Sequence, residues 1–225
     1  MLREQKGNMY EWVTHTWNPV SGKCPHNCIY CYMKGIVKRP LHLDQKSFKD
    51  CLGAGRVIFI GSGTDMFCRQ VPLEWIKRVF QHCNLFPKNK YFFQSKNPRR
   101  FLESVESFKY PKNIQFCTTI ESDLDHGVSD APTVRERAYY TGLIAEMGIE
   151  TAVTIEPIMS FTQRGLIDLI KTCSPMLVNI GADSKGHGLS EPDDLQLERL
   201  ISTLRGLDGV KIHKKRNLVR LLKKR

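Results

Sequence analysis

The chain has 225 residues, of which 41% are hydrophobic, and this length suits a single domain with a sizeable core, which we expect to span residues 1–225. It contains no stretch of 18 or more apolar residues, so no transmembrane helix and no membrane partner are expected. The first residues lack the apolar segment of a secretion signal. We therefore expect a cytoplasmic protein whose eight cysteines stay reduced.

The net charge of +11 is concentrated in a basic C-terminal segment, residues 211–225, which holds eight Lys or Arg and no Asp or Glu. Without it, 26 basic residues face 23 acidic ones, a net charge of +3. The segment predicts contact with a polyanion, most simply nucleic acid phosphates, through Lys214, Lys215, Arg216 and Arg220. The alternative is a solvated helix end, whose cations suit the helix C-terminus.

Short apolar runs predict buried parallel strands at residues 12–16, 57–61, 91–94, 114–119, 151–155, 176–180 and 210–213. Helical patterns fill the gaps between them. One helix begins after Pro72 and another covers residues 134–147, while Asn97 and Ser190 are predicted N-caps of two more. Alternating strands and helices predict an α/β fold with a parallel sheet. The periodicity is compatible with an open sheet and with an incomplete (β/α) barrel.

Small, polar and charged residues follow nearly every predicted strand. The sequence reads "GSGTD" after the second strand, "QSKN" after the third, "TTIESD" after the fourth, "EP" after the fifth and "GADSK" after the sixth. Ligands of parallel α/β folds bind at the carboxyl ends of the strands. The sequence therefore predicts a binding site at this edge of the sheet.

The loop after the first strand carries three cysteines, Cys24, Cys28 and Cys31, in a C-x3-C-x2-C pattern. Thiolates bind zinc, or iron in iron–sulfur clusters. Zinc needs four ligands, and His26 would complete only a cramped set within eight residues. A [4Fe–4S] cluster normally takes four cysteines, so three leave one iron with an open position for a cofactor or substrate. The other five cysteines are scattered and predict no second cluster.

With Tyr30 directly before the third cysteine, the motif resembles that of the radical S-adenosylmethionine (radical SAM) superfamily. The remaining motifs are similar to a small family of phage and bacterial radical SAM proteins, and more distantly to spore photoproduct lyase. The resemblance implies an incomplete (β/α)6 TIM-like barrel and two cofactors, a [4Fe–4S] cluster and SAM. It also implies reductive cleavage of SAM to a 5′-deoxyadenosyl radical, and an external electron donor of the flavodoxin or ferredoxin type.

The resemblance further implies that the loop after the second strand binds SAM. Gly61, Ser62 and Gly63, followed by Thr64, would let the backbone approach the amino group of the cofactor. The Asp65 carboxylate would accept a hydrogen bond from the ammonium. The aromatic Tyr30 of the cysteine motif is assigned to the same cofactor.

Five polar residues near later strands complete the cofactor site that the resemblance implies. Lys96 and Arg137 would bind the SAM carboxylate, Arg137 as a bidentate partner. Thr119 and Glu121 would contact the ribose, since a carboxylate suits a diol. Glu156 would face the adenosyl group or the substrate.

The leading functional hypothesis is a radical SAM enzyme that modifies a nucleic acid base, for example a hypermodified thymine in phage DNA. A base within a duplex would have to be flipped out to meet the radical. One alternative keeps the chemistry but has a peptide or small metabolite as substrate. Another is a zinc-stabilised nucleic-acid-binding module without catalysis. Cys68 and Cys117, near predicted strand ends, are candidates to return a hydrogen atom to a product radical.

Overall fold

An eight-stranded sheet organises the part of the chain that the computed structural model describes, namely residues 1–5, 10–36 and 39–222. Its strand order is β1-β2-β5-β6-β7-β8-β9-β10, and β3 and β4 form a separate antiparallel pair. Only β1 runs antiparallel to its neighbour in the large sheet. The strands are β1 (Arg3–Glu4), β2 (His15–Trp17), β3 (Val20–Ser21), β4 (His42–Leu43), β5 (Val57–Ile60), β6 (Lys90–Ser95), β7 (Ile114–Thr119), β8 (Glu150–Ile155), β9 (Leu177–Ile180) and β10 (Lys211–Lys214).

The sheet is an incomplete barrel, as predicted, because no ladder joins β1 to β10 within the described ranges. Two side-chain contacts cross the gap instead. Arg216, two residues after β10, donates to Glu11 Oε1 at 3.1 Å. The Lys215 ammonium lies 5.1 Å from the centre of the Tyr10 ring. The segment before β2 therefore meets the segment after β10 without strand pairing.

Six of the seven predicted strands are confirmed to within one or two residues, and only the first was placed too early. It was predicted at 12–16, but β2 is His15–Trp17. The residues before it form a turn, in which Val13 N donates to Tyr10 O at 3.0 Å. Tyr10 and Val13 are buried inside the barrel. These residues are apolar because they pack inside the barrel, and they do not pair with a neighbouring strand.

Five α-helices connect the later strands, and two 3-10 helices flank them. They are α1 (Leu73–Asn84), α2 (Pro98–Ser107), α3 (Val134–Glu146), α4 (Gln163–Cys173) and α5 (Asp194–Arg205), with 3-10 helices at Gln45–Lys49 and Arg216–Leu221. No helix in the described ranges is long and apolar enough to cross a bilayer.

The predicted helix starts are correct except at Ser190. Asn97 does occupy the N-cap position of α2, although its side chain donates to Phe67 O rather than capping the helix. Ser190 does not cap α5, which begins four residues later. Asp193 is the cap, and its carboxylate accepts from Gln196 N at 2.7 Å. Pro192 explains the difference, since the residue before a proline is disfavoured from the helical region.

Successive side chains of each strand alternate between the helix-covered outside of the barrel, where they form an outer core, and its interior, where they form an inner core. Outward residues such as Ile60 and Phe93 pack with Phe80 and the other helix residues facing the sheet. Inward residues pack around Tyr10 and Val13 in a smaller inner core, whose other buried members are Phe59, Phe92, Cys117 and Ala152. Because successive side chains point to opposite faces, the inward positions can be followed toward the carboxyl ends of the strands.

Two registered rows of inward positions lie above the inner core. Two residues along the strands from Cys117 and Ala152 lie four inward residues in register, which we call the floor row: Thr119, Thr154, Asn179 and His213. Two residues further along the same four segments lie Glu121, Glu156, Gly181 and Lys215, which we call the mouth row. The barrel interior is therefore apolar at its base and polar toward the edge where the site was predicted.

The basic C-terminal segment is part of the fold. Its first residues form β10, which pairs with β9, and Arg216–Leu221 is a 3-10 helix that buries Leu218 completely. The alternative of a solvated α-helix end is therefore wrong for the described part of the segment. Residues 223–225 lie outside the described residues.

Candidate functional site

The three cysteines stand on a long loop between β3 and β4, which we call the cysteine loop (residues 22–41). The β3–β4 pair closes its base, and Lys23 N donates to Arg39 O at 2.8 Å. Gly22 is required at this base, because it has a φ of +121° and a Cβ there would lie 2.3 Å from Pro40 O. The loop follows β2 at the carboxyl edge of the sheet, as the sequence predicted.

The loop after β5, which carries the "GSGTD" residues, is bonded to the cysteine loop and to β2. Thr64 Oγ1 donates to Gly22 O at 2.7 Å. Asn18 Oδ1 accepts from Ser62 Oγ at 3.2 Å and from Gly63 N at 3.3 Å. Gly61 has a positive φ of 80°, which glycine adopts without strain. Asn18 was not singled out from the sequence, although its place directly after a strand was a usable signal.

Asp65 is the centre of this connection. Its Oδ2 lies 2.9 Å from His26 Nε2 and accepts from Ser95 Oγ and Lys96 N, also at 2.9 Å. Its Oδ1 accepts from Phe67 N at 2.9 Å. Burial opposes ionisation of this carboxyl, but the hydrogen bonds, led by His26, lower its pKa below the usual value. Both oxygens of Asp65 are thus occupied by protein groups.

Four residues predicted for the cofactor site meet in one buried cluster, which we call the Glu121 cluster. Glu121 Oε1 accepts from Lys96 Nζ at 2.5 Å and also from the Tyr30 hydroxyl. Glu121 Oε2 accepts from Arg137 Nη1 at 2.8 Å. Arg137 is fixed further by the backbone, because Nη1 donates to Thr119 O and Nε to Pro132 O. The sequence named all of these side chains but not their contacts with one another.

The cations of the cluster determine the charge of Glu121. Its side chain is only 3% exposed, and burial alone would raise its pKa. The Lys96 and Arg137 charges outweigh burial and hold the pKa of Glu121 at about 2. Burial and the neighbouring carboxylate raise the pKa of Tyr30, which remains a neutral donor. Glu121 is therefore ionised at neutral pH, and both of its oxygens accept from side chains of the cluster.

The three thiols are free and lie close to this cluster. Cys28 is buried, and Cys24 and Cys31 are partly buried. Burial raises the pKa of Cys24 to about 12 and also raises that of Cys28, where the Lys96 charge opposes the effect. Among the described residues, no set of three His, Cys, Asp or Glu side chains is grouped so as to hold a single metal ion.

Glu156 lies in the mouth row, in ion-pair contact with the end of β10. Its Oε2 accepts from Lys215 Nζ at 2.8 Å and its Oε1 from Asn217 Nδ2 at 3.3 Å. Gly181 provides the space, since a Cβ there would lie 2.8 Å from Glu156 Oε1. Neither Lys215 nor Asn217 was predicted to meet this carboxylate, because the contact depends on how β10 adds to the sheet.

Three of the four basic residues predicted to contact nucleic acid have carboxylate partners in the fold. Lys215 pairs with Glu156, and Arg216 pairs with Glu11. Arg220 makes a two-point contact with the Glu191 carboxylate. Lys214 is exposed and has no ion pair within the described ranges. The excess positive charge of the segment is thus partly neutralised by the folded chain.

The two cysteines near strand ends have different surroundings. Cys68 packs in the outer core with Phe67 and Val71. Cys117 is an inward residue of β7 and packs in the inner core with Tyr10 and Phe92. Both are fully buried.

Solved structures with this fold include spore photoproduct lyase and SuiB. Spore photoproduct lyase with bound AdoMet and dinucleoside spore photoproduct aligns with a TM-score of 0.68 at 11% identity, covering 92% of this chain and 78% of that one. SuiB from Streptococcus suis aligns with a TM-score of 0.60 at 14% identity, covering 89% of this chain and 49% of that one. The predicted resemblance to the radical SAM superfamily is confirmed at the level of the fold.

A comparison with curated proteins gives no match. One family model does match, over residues 8–139, which is more than half of the chain. This region includes the cysteine loop, the "GSGTD" loop and every member of the Glu121 cluster. The chain therefore belongs to the family described as "Protein of unknown function (DUF5131)".

Proposed function

We propose that this protein is a radical SAM enzyme that holds a [4Fe–4S] cluster through Cys24, Cys28 and Cys31 and acts on a nucleic acid base. The observation that carries the proposal is the meeting of the cysteine loop and the Glu121 cluster at one edge of the sheet. The fold shared with spore photoproduct lyase and SuiB supports it. We propose a single domain that takes its electron from an external flavodoxin- or ferredoxin-type donor.

The donor set fits such a cluster. Three free thiols stand on one loop, and each thiolate of an iron–sulfur cluster binds its own iron, so the three need not converge on one point. Burial raises the pKa of two of the thiols, and metal binding would release their protons. When bound, the reduced cluster and SAM supply the 5′-deoxyadenosyl radical that removes a hydrogen atom from the substrate.

The residues of the chain would bind and orient the cofactor. Lys96 and Arg137 offer two cations for the SAM carboxylate, and Glu121 holds both in place. Thr119, whose backbone carbonyl accepts from Arg137, lies at the same strand end for a ribose contact. For Asp65 we propose a supporting role, because its oxygens already accept from four donors and it holds the cysteine loop.

The nucleic acid substrate is supported by several features of the mouth. Tyr32 is 47% exposed directly after Cys31, and Lys185 Nζ donates to its carbonyl at 3.2 Å. An exposed tyrosine with one cation at its backbone carbonyl, and its hydroxyl held by Ser62 O, suits base stacking next to a phosphate backbone. The net charge of +11 favours a polyanion. One neighbouring structure, spore photoproduct lyase, holds a dinucleoside.

The first experiment measures 5′-deoxyadenosine. Protein reconstituted anaerobically with iron and sulfide is reduced with dithionite and given SAM. We expect 5′-deoxyadenosine from the native chain, none from Cys28→Ala and native amounts from Cys51→Ala, whose exposed thiol lies before β5 at the opposite edge of the sheet. Zinc in place of iron, with SAM left intact, would overturn the proposal and favour the zinc-stabilised module.

The substrate is tested in the same assay. Single-stranded DNA, duplex DNA and RNA are each added, and we expect at least one of them to accelerate 5′-deoxyadenosine formation. If SAM is cleaved but none of the three changes the rate, the nucleic acid part of the proposal fails, and a peptide or metabolite substrate is indicated.

A further inference from the structure

Two side chains of the floor row have unused hydrogen-bonding capacity in the described structure, although neither is reached by solvent. Asn179 Nδ2 makes no hydrogen bond, Thr154 Oγ1 has no partner other than the Tyr10 hydroxyl, and both residues are 0% exposed. They are registered neighbours on β9 and β8. Trp12 Nε1, beside the same inner core, is also buried and unpaired. Buried polar groups in native proteins nearly always pair with protein, ordered water or a ligand, so this grouping offers unused donors and acceptors to a bound molecule.

Neighbouring side chains orient Asn179 and Thr154 and determine which of their donors and acceptors remain unused. The Asn179 side-chain oxygen lies 3.2 Å from His213 Nδ1, and in the tautomer of His213 that carries its proton on Nδ1 this nitrogen donates to the oxygen and leaves the amide N–H groups unused. The Tyr10 hydroxyl gives its proton to Gln94 Oε1 at 2.9 Å and accepts from the Thr154 hydroxyl, which leaves Thr154 Oγ1 able to accept. Gln94 Nε2 in turn donates to Thr119 Oγ1 at 3.3 Å. The floor row thus presents an amide donor beside a hydroxyl.

The mouth row lies between the Asn179 and Thr154 side chains and the edge of the barrel. Glu156 and Lys215 are two residues beyond Thr154 and His213 in the sequence, and they form an ion pair of 2.8 Å. Asn217 Oδ1, beside Glu156, is a further buried acceptor without a partner. A ligand entering from the mouth meets this ion pair first, and a phosphate offers Lys215 a competing partner.

We propose that the floor row recognises a ring amide of the substrate, a carbonyl next to an N–H, as carried by uracil- and thymine-type bases. Asn179 Nδ2 donates to the carbonyl, and Thr154 Oγ1 accepts from the N–H. His213 positions Asn179 through its oxygen. The inference rests on the proposed function, because it names the substrate class of the same site.

The test is a binding measurement that needs no turnover. Fluorescein-labelled (dT)8 and the same oligomer carrying N3-methylthymine are titrated with SAM-loaded protein, and fluorescence anisotropy is recorded. We expect the native chain to bind (dT)8 about tenfold more tightly than the methylated oligomer. Asn179→Asp removes the donor to the carbonyl, which both oligomers carry, so it should weaken the binding of both. Asn113→Asp, a matched change in an exposed loop before β7, should keep the native affinities.

A second variant guards against misfolding of the first. Thr154→Val keeps the side-chain volume and removes a hydroxyl whose protein neighbour is the Tyr10 hydroxyl, so we expect a nearly unchanged melting temperature together with a reduced preference for (dT)8. Equal binding of the two oligomers by the native chain would overturn the inference. An undiminished preference in Thr154→Val, or native affinities in Asn179→Asp, would do the same.

Binding of SAM separates the substrate from the cofactor. We expect equilibrium dialysis to give the same SAM affinity for the native chain and for Asn179→Asp, and a loss of that affinity would assign the floor row to the cofactor and overturn the inference. Failure of the proposed function would be seen in a different measurement, as the absence of 5′-deoxyadenosine from the native protein. The oligomer preference is measured independently of that product.

Discussion

Asp65 Oδ2 lies 2.9 Å from His26 Nε2, and this contact joins the loop after β5 to the middle of the cysteine loop. His26 sits between Cys24 and Cys28 in the sequence, so its position determines how the first two thiols are presented. Both side chains are at least nine-tenths buried. The loop that carries the cysteines is therefore held from its interior as well as from its base.

Replacing Asp65 should loosen the cysteine loop. In Asp65→Asn one oxygen becomes an amide nitrogen, which cannot accept from Ser95 or His26. Supporting residues of metal ligands typically contribute tenfold or more to affinity, so we expect iron retention to fall about tenfold. Iron and sulfide per chain after gel filtration measure this. Asp208→Asn, an exposed change after α5, is the control, and native iron retention in Asp65→Asn would contradict the assignment.

Removing the central carboxylate of the Glu121 cluster should destabilise the fold. Glu121→Ala leaves Lys96 and Arg137 as buried cations, 12% and 5% exposed, without their shared partner. Breaking a buried ion pair from one side costs about 3 kcal/mol or more of unfolding free energy. Urea denaturation measures it. Glu74→Ala, which removes an exposed pair with Lys77, should change stability by less than about 0.5 kcal/mol.

The same carboxylate predicts a pH dependence of stability. The pKa of Glu121 is lowered to about 2, whereas a glutamate in the unfolded chain has a pKa of about 4.3. The folded chain therefore binds this proton more weakly than the unfolded chain. The stabilising contribution of Glu121 is complete above about pH 4.3 and is lost as the pH falls toward about 2. The stability difference between the native chain and Glu121→Gln should therefore shrink in urea titrations below about pH 4. A constant difference would show that Glu121 is not ionised through the cluster.

A close approach of two helices depends on Gly142. A Cβ at this position in α3 would lie 2.4 Å from Thr172 O, a backbone atom of α4 that no side-chain rotation can move. Gly142→Ala should therefore cost about 1–3 kcal/mol through overpacking, more than the helix propensity of alanine returns. Gly206→Ala, where the nearest atom is at 3.4 Å, should be nearly neutral. Chemical denaturation of both variants decides the point.

The basic C-terminal segment is better tested by single substitutions than by deletion. Removing residues 214–225 would take Leu218 out of the core as well as removing charge. Lys214→Gln should lower the slope of log affinity against log salt for DNA by about 0.9, the value for one lost phosphate contact. Arg220→Gln should change the slope less, because Glu191 already holds Arg220. Equal slopes for native chain and Lys214→Gln would remove Lys214 from the contact surface.

Local patterns in the sequence were sufficient for six of the seven predicted strands, because runs such as residues 57–60 are apolar for a reason that is visible locally. The carboxyl-edge rule also placed Lys96 and Glu121 together, while Arg137, on α3, was named only through the resemblance. Partners of charged residues were harder to predict. Lys215 and Arg216 were counted as free cations, yet each meets a carboxylate far away in the chain. Such pairs depend on sheet order, which a charge count does not contain.

The floor row was missed for a related reason. Thr154 and Asn179 lie in runs that read as ordinary buried strands, since an outward Val153 or Val178 separates each inward residue from the next. Only the register between strands shows that the inward residues form one polar level. Its unpaired atoms become visible only when the neighbours of each side chain are known.

The division of the barrel interior into an apolar base and a polar floor row has a consequence for how the sequence can change in evolution. The apolar base of the barrel and the helix-covered outer face hold most of the packed side chains, while Thr154, Asn179 and His213 form a separate polar level above that base. We expect substitutions at these positions to alter what the barrel recognises. A combinatorial library restricted to these codons is thus a practical starting point for directing the scaffold toward new targets, and natural divergence has the same route open to it.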